Sequence, residues 1–235
     1  MIIPNSNLVF IAYKSGFCGS LVYTLLALSP EVNQYKKITT LSFNDGTAHE
    51  AAENWIPLLH SYKESVTFCE KNWTNVLTDE IKDALLDKKI ILVRCHPNTA
   101  YKLAFIDNVK IIYVTSMNKY KYERWAYEKT LKTQGDEFYE NILEKNFKFK
   151  KSYKKITNRI KRHLLIRNFN HDMKSYEDCK KVLKIEPHKL DIDLLLEKNY
   201  ITYLNLCSYL QITAIEQERF EQILNTYNSK QWKRF

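Results

Sequence analysis

The segment that decides the fold covers residues 8–21 and reads LVFIAYKSGFCGSL. Its first five residues are apolar and predict a buried strand, and leucines then recur at helical spacing from Leu21 until Pro30 stops them. The loop between the two holds Gly16 and Gly19, half of the chain's four glycines. Glycines let a backbone turn tightly with its N–H groups facing inward, and the following helix presents unpaired N–H groups and a positive dipole end. The segment therefore predicts a strand, an anion-binding loop and a helix.

Side chains of the loop would line this anion site as well. They are Lys14, Ser15, Cys18 and Ser20. The P-loop of nucleotide hydrolases has a lysine and a hydroxyl residue directly after its last glycine, whereas here Ser20 and Leu21 follow Gly19. The sequence therefore argues against a kinase or an ATPase. The alternative interpretation is that the two glycines only make a tight turn between strand and helix.

The loop resembles that of the sulfotransferases that use 3'-phosphoadenosine 5'-phosphosulfate (PAPS), whose first loop reads Pro-Lys-Ser-Gly-Thr-Thr. Three residues match that motif: Lys14, Ser15 and Gly16. Three depart from it: Tyr13, Phe17 and Cys18. The resemblance implies that Lys14 stabilises the leaving phosphate and that the backbone of residues 16–20 holds the 5'-phosphate.

A histidine follows a second apolar run, at residues 89–94, which predicts another strand. Imidazole titrates near neutrality, so His96 suits a base that takes the proton of an attacking hydroxyl. His96-Pro97 is similar to the Thr-His-x-Pro element of the same family, whose histidine is the base. Glu50 and Glu53 are alternative bases, as glutamate is in the glycan-modifying branch. A structural or capping histidine is the simpler alternative.

A third apolar run, at residues 109–115, resembles the family's strand that leads to the 3'-phosphate site. The family has an arginine at the strand end and a serine eight residues later, whereas this chain has Ser116 and then Arg124. Either order supplies one guanidinium and one hydroxyl to a phosphate. The family's glycine-rich Arg-Lys-Gly clamp is missing near the C-terminus. The cofactor-binding residues that the resemblance implies are Lys14, Ser15, Gly16, Phe17, Cys18, Gly19, Ser20, Ser116 and Arg124.

Strand and helix patterns alternate through the first four fifths of the chain. Further strands are predicted at 38–43, 66–69 and 181–185, and helices at 48–59, 79–86, 119–131 and 138–146. From Asp193 onwards the pattern is helical, with apolar residues that would cover one face of the sheet: Leu194 to Leu196, Leu204, Leu206, Leu210, Phe220 and Leu224. We expect one domain, residues 1–235, with a three-layer P-loop-like α/β fold, a parallel sheet of about five strands and a helical C-terminal third. The loops after the strands should converge on one site.

Positive charge is concentrated in residues 146–174, where ten lysines and arginines face Asp172 alone, and the rest of the chain is neutral. Residues 148–162 have the spacing of a basic amphipathic helix, and we call them the basic segment. It is either a solvated cationic face or a platform for a polyanion. We expect an anionic ligand such as the cofactor or the acceptor; nucleic acid fits poorly, because few stacking aromatics interleave with the cations.

Composition limits the class of protein. Five scattered cysteines with no Cys-x-x-Cys pair indicate free thiols in a reducing compartment. The chain shows no leader and no membrane span, so we expect an unprocessed cytoplasmic protein. The abundance of Lys, Ile, Asn and Tyr suggests a viral or bacterial source.

The sequence also bears on ligands and function. His49 and Glu53 lack a third ligand, so no metal is expected. The acceptor would be a small molecule or glycan with a hydroxyl or an amine. The alternative function is a catalytically silent binding or structural protein.

Overall fold

The computed structural model describes residues 7–14, 17–33, 89–103, 109–118, 121–124, 175–182 and 186–231. The strands among them are β1 (Leu8–Tyr13), β2 (Val32–Asn33), β3 (Ile90–Cys95), β4 (Lys110–Thr115) and β5 (His188–Asp191). The helices are α1 (Gly19–Ala27), α2 (Pro97–Leu103), α3 (Tyr176–Val182), α4 (Ile192–Leu196), α5 (Tyr200–Leu210) and α6 (Gln217–Gln231). Residues 121–124 are also helical.

The strands form one parallel sheet of five, in the order β2-β3-β1-β4-β5. β1 lies at its centre, with Ile11 opposite Arg94 of β3 on one side and opposite Ile112 of β4 on the other. The whole of β3 and nearly all of β1 are buried, because a central parallel strand is covered on both faces. This confirms the predicted parallel sheet and puts the carboxyl ends of β1, β3 and β4 at one edge.

Helices cover both faces of the sheet. Side chains alternate along a strand, so Val9, Ile11 and Val114 share one face, where they pack in a core with α1, α5 and α6. Every residue of α1 is buried in this layer. The opposite face carries α2 and α3, whose Tyr176 meets the ring of Tyr113 edge-on at 5.9 Å between centroids. The predicted three-layer fold is confirmed.

The strand predicted at 181–185 is wrong where the structure describes it, because Lys181 is in the last turn of α3. The start of this helix is fixed by reciprocal capping: the backbone N–H of Asp178 donates to the Ser175 hydroxyl oxygen at 3.1 Å, and the Ser175 N–H donates to the Asp178 carboxylate at 3.0 Å. The edge strand is β5, in which Leu190 is the buried residue. Because β5 contains no apolar run, the sequence pattern did not predict this strand.

The helical C-terminal third is confirmed as α4, α5 and α6, yet its apolar cover is smaller than predicted. Leu194 and Leu204 are 41% and 40% exposed, so these two predicted core positions are wrong. They lie on the outer sides of short helices whose inner sides bury Leu195 and Leu206. Tyr203 and Phe220 stack at 5.0 Å and join α5 to α6.

Several predictions fall on residues outside the described ranges. They are the strands at 38–43 and 66–69, the helices at 48–59, 79–86 and 138–146, the basic segment, and the residues Ser15, Gly16, His49, Glu50 and Glu53. The helix predicted at 119–131 is confirmed at 121–124, within the described residues. The four described cysteines, Cys18, Cys95, Cys179 and Cys207, are free thiols.

Candidate anion site at the carboxyl edge of the sheet

The loop between β1 and α1 turns tightly. The N–H of Phe17 donates to the carbonyl of Lys14 at 3.0 Å, and Cys18 precedes α1 with a left-handed backbone at φ 55°. At Gly19 a Cβ atom would lie 2.0 Å from Cδ1 of Tyr13. Only glycine allows Tyr13 to pack so closely on the first residue of the helix. Gly19 is therefore required for this close packing of Tyr13 on the start of α1.

Beside the loop, on the β3 side of β1, lies a polar cluster that we call the closed side: the buried residues Ser20, Tyr23 and Arg94 and the half-buried Tyr13. Nη1 of Arg94 donates to the Ser20 hydroxyl oxygen at 2.7 Å, and the guanidinium carbon lies 5.1 Å from the centroid of the Tyr23 ring. Burial lowers the pKa of Arg94 and raises the pKa of Tyr23 to about 12. The Ser20 side chain is thus engaged beneath the loop, and only its backbone N–H remains a candidate for an anion.

His96 follows β3 directly, as predicted, and its side chain is exposed. Its Nδ1 lies 3.3 Å from the carbonyl oxygen of Tyr13. A carbonyl oxygen only accepts hydrogen bonds, so Nδ1 is the donor of this contact, and in the neutral imidazole the lone pair is then on Nε2. The contact places the His96 ring beside the residue that precedes Lys14.

On the other side of β1 lies an open cleft of about 460 Å³, which we call the open side. The described residues that line it are Lys14, Phe17, Tyr113, Val114, Thr115, Ser116, Met117, Ser175, Tyr176, Glu177, Lys189 and Asp191. Its cations are Lys14, directly after β1, and Lys189 of β5. The ammonium of Lys189 lies 5.7 Å from the centroid of the Tyr176 ring, which holds this charge over an aromatic wall.

The topology explains why the cleft lies at this place. From β1 the chain continues through α1 to β2 and β3 on one side, whereas from β4 it continues to β5 on the other. In open α/β sheets, ligands bind beyond the carboxyl ends of the strands at such a switch point. The cleft opens between the ends of β1 and β4, which is the position where this rule expects a ligand.

Ser116, the predicted phosphate ligand at the end of β4, belongs to a network around Asp193. Its hydroxyl donates to Oδ2 of Asp193 at 2.6 Å, and the Tyr122 hydroxyl donates to Oδ1 at 2.7 Å. The N–H of Asn118 donates to the Ser116 hydroxyl oxygen at 2.8 Å. Burial opposes the ionisation of Asp193, but the hydrogen bonds outweigh it, so the pKa of this carboxyl lies below its usual value.

The structure does not bring all the predicted site residues together. Lys14, Phe17 and Ser116 line the cleft. Ser20 belongs to the closed side, His96 is exposed just beyond the end of β3, and Arg124 is exposed at the end of the helical segment 121–124. Burial raises the pKa of the Cys18 thiol to about 11, and the thiol shares a hydrogen bond with Tyr227. Cys18 is therefore a protonated thiol turned toward α6.

Sequence reasoning missed four residues that build the site: Tyr113, Tyr176, Lys189 and Asp193. Tyr113 lay in a predicted strand, and its alternation onto the cleft face was a usable signal. Lys189 belongs to the polar edge strand, which no apolar run marks. Asp193 acts on Ser116 across 77 positions of sequence, so no local pattern joined the two.

Comparison with known proteins adds little to this picture. No family model and no curated protein matches the chain. A solved structure of a sulfotransferase domain from the curacin biosynthetic pathway is similar over 89% of this chain and 75% of its own length, with 13% identity and a TM-score of 0.40. A TM-score this low carries no argument about fold or activity.

Two features are absent from the described residues. No described helix combines the length and the apolar character that crossing a membrane requires. Within the same ranges, no three His, Cys, Asp or Glu side chains are grouped as metal ligands would be.

Proposed function

We propose that this protein is a PAPS-dependent sulfotransferase that binds its nucleotide on the open side of β1. The observation that carries the proposal is the position of Lys14, at the end of the central strand and on the wall of a cleft at the switch point. The match of Lys14-Ser15-Gly16 and of His96-Pro97 to the family's motifs supports the same function. Both matched elements follow neighbouring strands at one edge of the sheet.

The proposed reaction is an in-line displacement at sulfur. A lone pair of the acceptor oxygen forms the new S–O bond, while the bond from sulfur to the bridging oxygen of the 5'-phosphate breaks. The bond electrons stay on that oxygen, and adenosine 3',5'-bisphosphate leaves. Lys14 stabilises the charge that develops there, and the acceptor proton passes to Nε2 of His96.

The two sides of β1 divide the substrates between them in this proposal. The nucleotide occupies the open side, where Tyr113 and Tyr176 offer aromatic surface and Lys189 a second cation. The acceptor, with its hydroxyl or amine, approaches from the β3 side, where His96 is exposed. Three further points remain predictions: Glu50 or Glu53 as the base, the roles of Ser15 and Arg124 at the nucleotide, and the steering of anions by the basic segment.

A catalytically silent binding protein is the second candidate, and one observation favours it. Ser116, expected at the 3'-phosphate, donates instead to the Asp193 carboxylate, which puts negative charge at the predicted phosphate position. Such a protein would bind a nucleotide or another polyanion without turning over PAPS.

The test is release of adenosine bisphosphate from PAPS in the presence of a panel of phenolic, sugar and amine acceptors. We expect turnover with at least one acceptor class, and a loss of about 100-fold in kcat for His96→Gln with little change in bisphosphate affinity. Lys181→Ala, an exposed lysine of α3 outside the cleft, is the control and should behave as wild type. Binding without turnover across the panel would favour the silent protein.

A further inference from the structure

The Asp193 network connects the two walls of the cleft. Asp193 contacts the loop after β4 through Ser116 and Asn118, and it contacts the helical segment 121–124 through the Tyr122 hydroxyl. The ring of Tyr122 packs against that of Phe17 at 5.4 Å between centroids. Phe17 belongs to the same loop as Lys14, so one carboxylate holds the β4 wall directly and the β1 wall through an aromatic contact.

Ser116 has no proton left for a phosphate in this arrangement. A hydroxyl carries a single hydrogen, and that of Ser116 goes to Oδ2 of Asp193 at 2.6 Å. Its oxygen accepts the N–H of Asn118 at 2.8 Å. A phosphate oxygen needs a donor, and a carboxylate beside it would repel it. The geometry therefore disfavours direct contact between Ser116 and an anionic ligand.

We infer that Asp193 is a positioning residue for nucleotide binding, and that Ser116 acts through it by fixing the loop after β4. This inference rests on the proposed function, because the ligand that the two walls hold is the nucleotide. Holding both walls before binding reduces the ordering that the ligand must otherwise impose. Ser116 then contributes to the binding of every nucleotide that contacts the wall, with or without a 3'-phosphate.

Calorimetric titration with adenosine 3',5'-bisphosphate and with 5'-AMP tests the inference. Ser116→Ala should raise the Kd for both ligands by the same factor, about tenfold, because the loop after β4 is then no longer fixed for either ligand. Asp193→Asn should have a similar effect, and the double variant should be no weaker than the worse single variant. Tyr122→Phe removes the bond through which Asp193 reaches the β1 wall and leaves the bonds to the β4 loop intact, so it should raise the Kd for both ligands equally, and by less than Ser116→Ala does.

Four results would overturn the inference. A Ser116→Ala penalty seen with the bisphosphate and absent with 5'-AMP would make Ser116 a direct 3'-phosphate ligand. Multiplying penalties in the double variant would mean that the two residues act independently. An unchanged Kd in Asp193→Asn, with only a lower unfolding midpoint, would leave Asp193 a purely structural role. If Asp193→Asn does not fold, the comparison of the two ligands on Ser116→Ala decides alone.

The fourth result is failure of the wild type to bind the bisphosphate. It would overturn the proposed function as well, which separates it from the other three.

Discussion

The two sides of β1 at the carboxyl edge differ in how their polar groups are used. On the closed side, Arg94, Ser20 and the aromatic rings of Tyr13 and Tyr23 contact one another and are packed under the loop. On the open side, Lys14 and Lys189 line a cleft of about 460 Å³. One central strand therefore has a packed support on one flank and an accessible cavity on the other.

This difference indicates how packing on one side of β1 would prepare the other side for an anion. A binding loop is most effective when neighbouring packing holds it in its bound geometry. The closed side fixes the start of α1 through Ser20 and Gly19, and the open side supplies the space and the charge. We therefore expect changes on the closed side to affect stability and changes on the open side to affect ligand binding and turnover.

Gly19→Ala should have the largest effect. Its Cβ would lie 2.0 Å from the Tyr13 ring, so either the ring or the helix must move. We expect a loss of about 3 kcal/mol in the free energy of unfolding, measured by urea denaturation. In a Tyr13→Ala background the same change should cost less, because the clash is gone. An unchanged urea midpoint would mean that the loop is looser than the packing indicates.

Lys14→Ala tests the open side. We expect kcat to fall about 100-fold, while the affinity for adenosine bisphosphate falls less than tenfold, because the ammonium matters most where charge develops on the leaving oxygen. Steady-state turnover and calorimetry on one preparation give both numbers, and the urea midpoint should stay at the wild-type value. Unchanged turnover would remove Lys14 from the mechanism.

Ser20→Ala is the counterpart of Ser116→Ala on the opposite flank. It removes the acceptor of a buried hydrogen bond from Arg94, so we expect a loss of about 2 kcal/mol in the free energy of unfolding. The backbone N–H of residue 20 remains, and the Kd for the bisphosphate should stay within about twofold. A large rise in Kd with unchanged stability would reverse the assignment of the two sides.

Glu31 should give the smallest effect and serves as a control away from both sides. Hydrogen bonds from Ser29 and Thr213 lower the pKa of this carboxyl from 4.5 to about 2. Because the folded pKa is depressed, its contribution is present above pH 4.5 and is lost as the pH falls toward 2. Urea unfolding between pH 6 and 2 should show a shallower pH dependence in Thr213→Val, with the same bisphosphate affinity at neutral pH. An identical pH dependence in both proteins would contradict this role.

The central part of the fold could be predicted from sequence because its strands are buried on both faces. β1, β3 and β4 each contain at least four consecutive apolar residues, which is the pattern typical of a parallel strand covered on both faces. β5 lies at an edge and has Leu190 as its single apolar residue, so no apolar run predicted it. The Ser175-x-x-Asp178 capping pattern in the sequence could have identified α3.

The site could be predicted only where its residues adjoin a strand end. Lys14, His96 and Ser116 could be singled out because each lies within two residues of the end of a predicted strand, and because the residues around them resemble the motifs of the PAPS-dependent sulfotransferases. Tyr176, Lys189 and Asp193 meet them only after the chain has folded, from segments distant in sequence. The hydrogen bond from Ser116 goes to such a distant residue, Asp193. For that reason the predicted role of Ser116 as a phosphate ligand differs from the positioning role inferred from the structure.

The most direct test of the proposed nucleotide site is calorimetric titration of the wild-type protein with adenosine 3',5'-bisphosphate, with adenosine as the uncharged control. We expect one site per chain for the bisphosphate, weakened by Lys14→Ala and unaffected by Lys181→Ala, and no measurable binding of adenosine alone. Failure to bind the bisphosphate, or equal binding by wild type and Lys14→Ala, would contradict the proposed site.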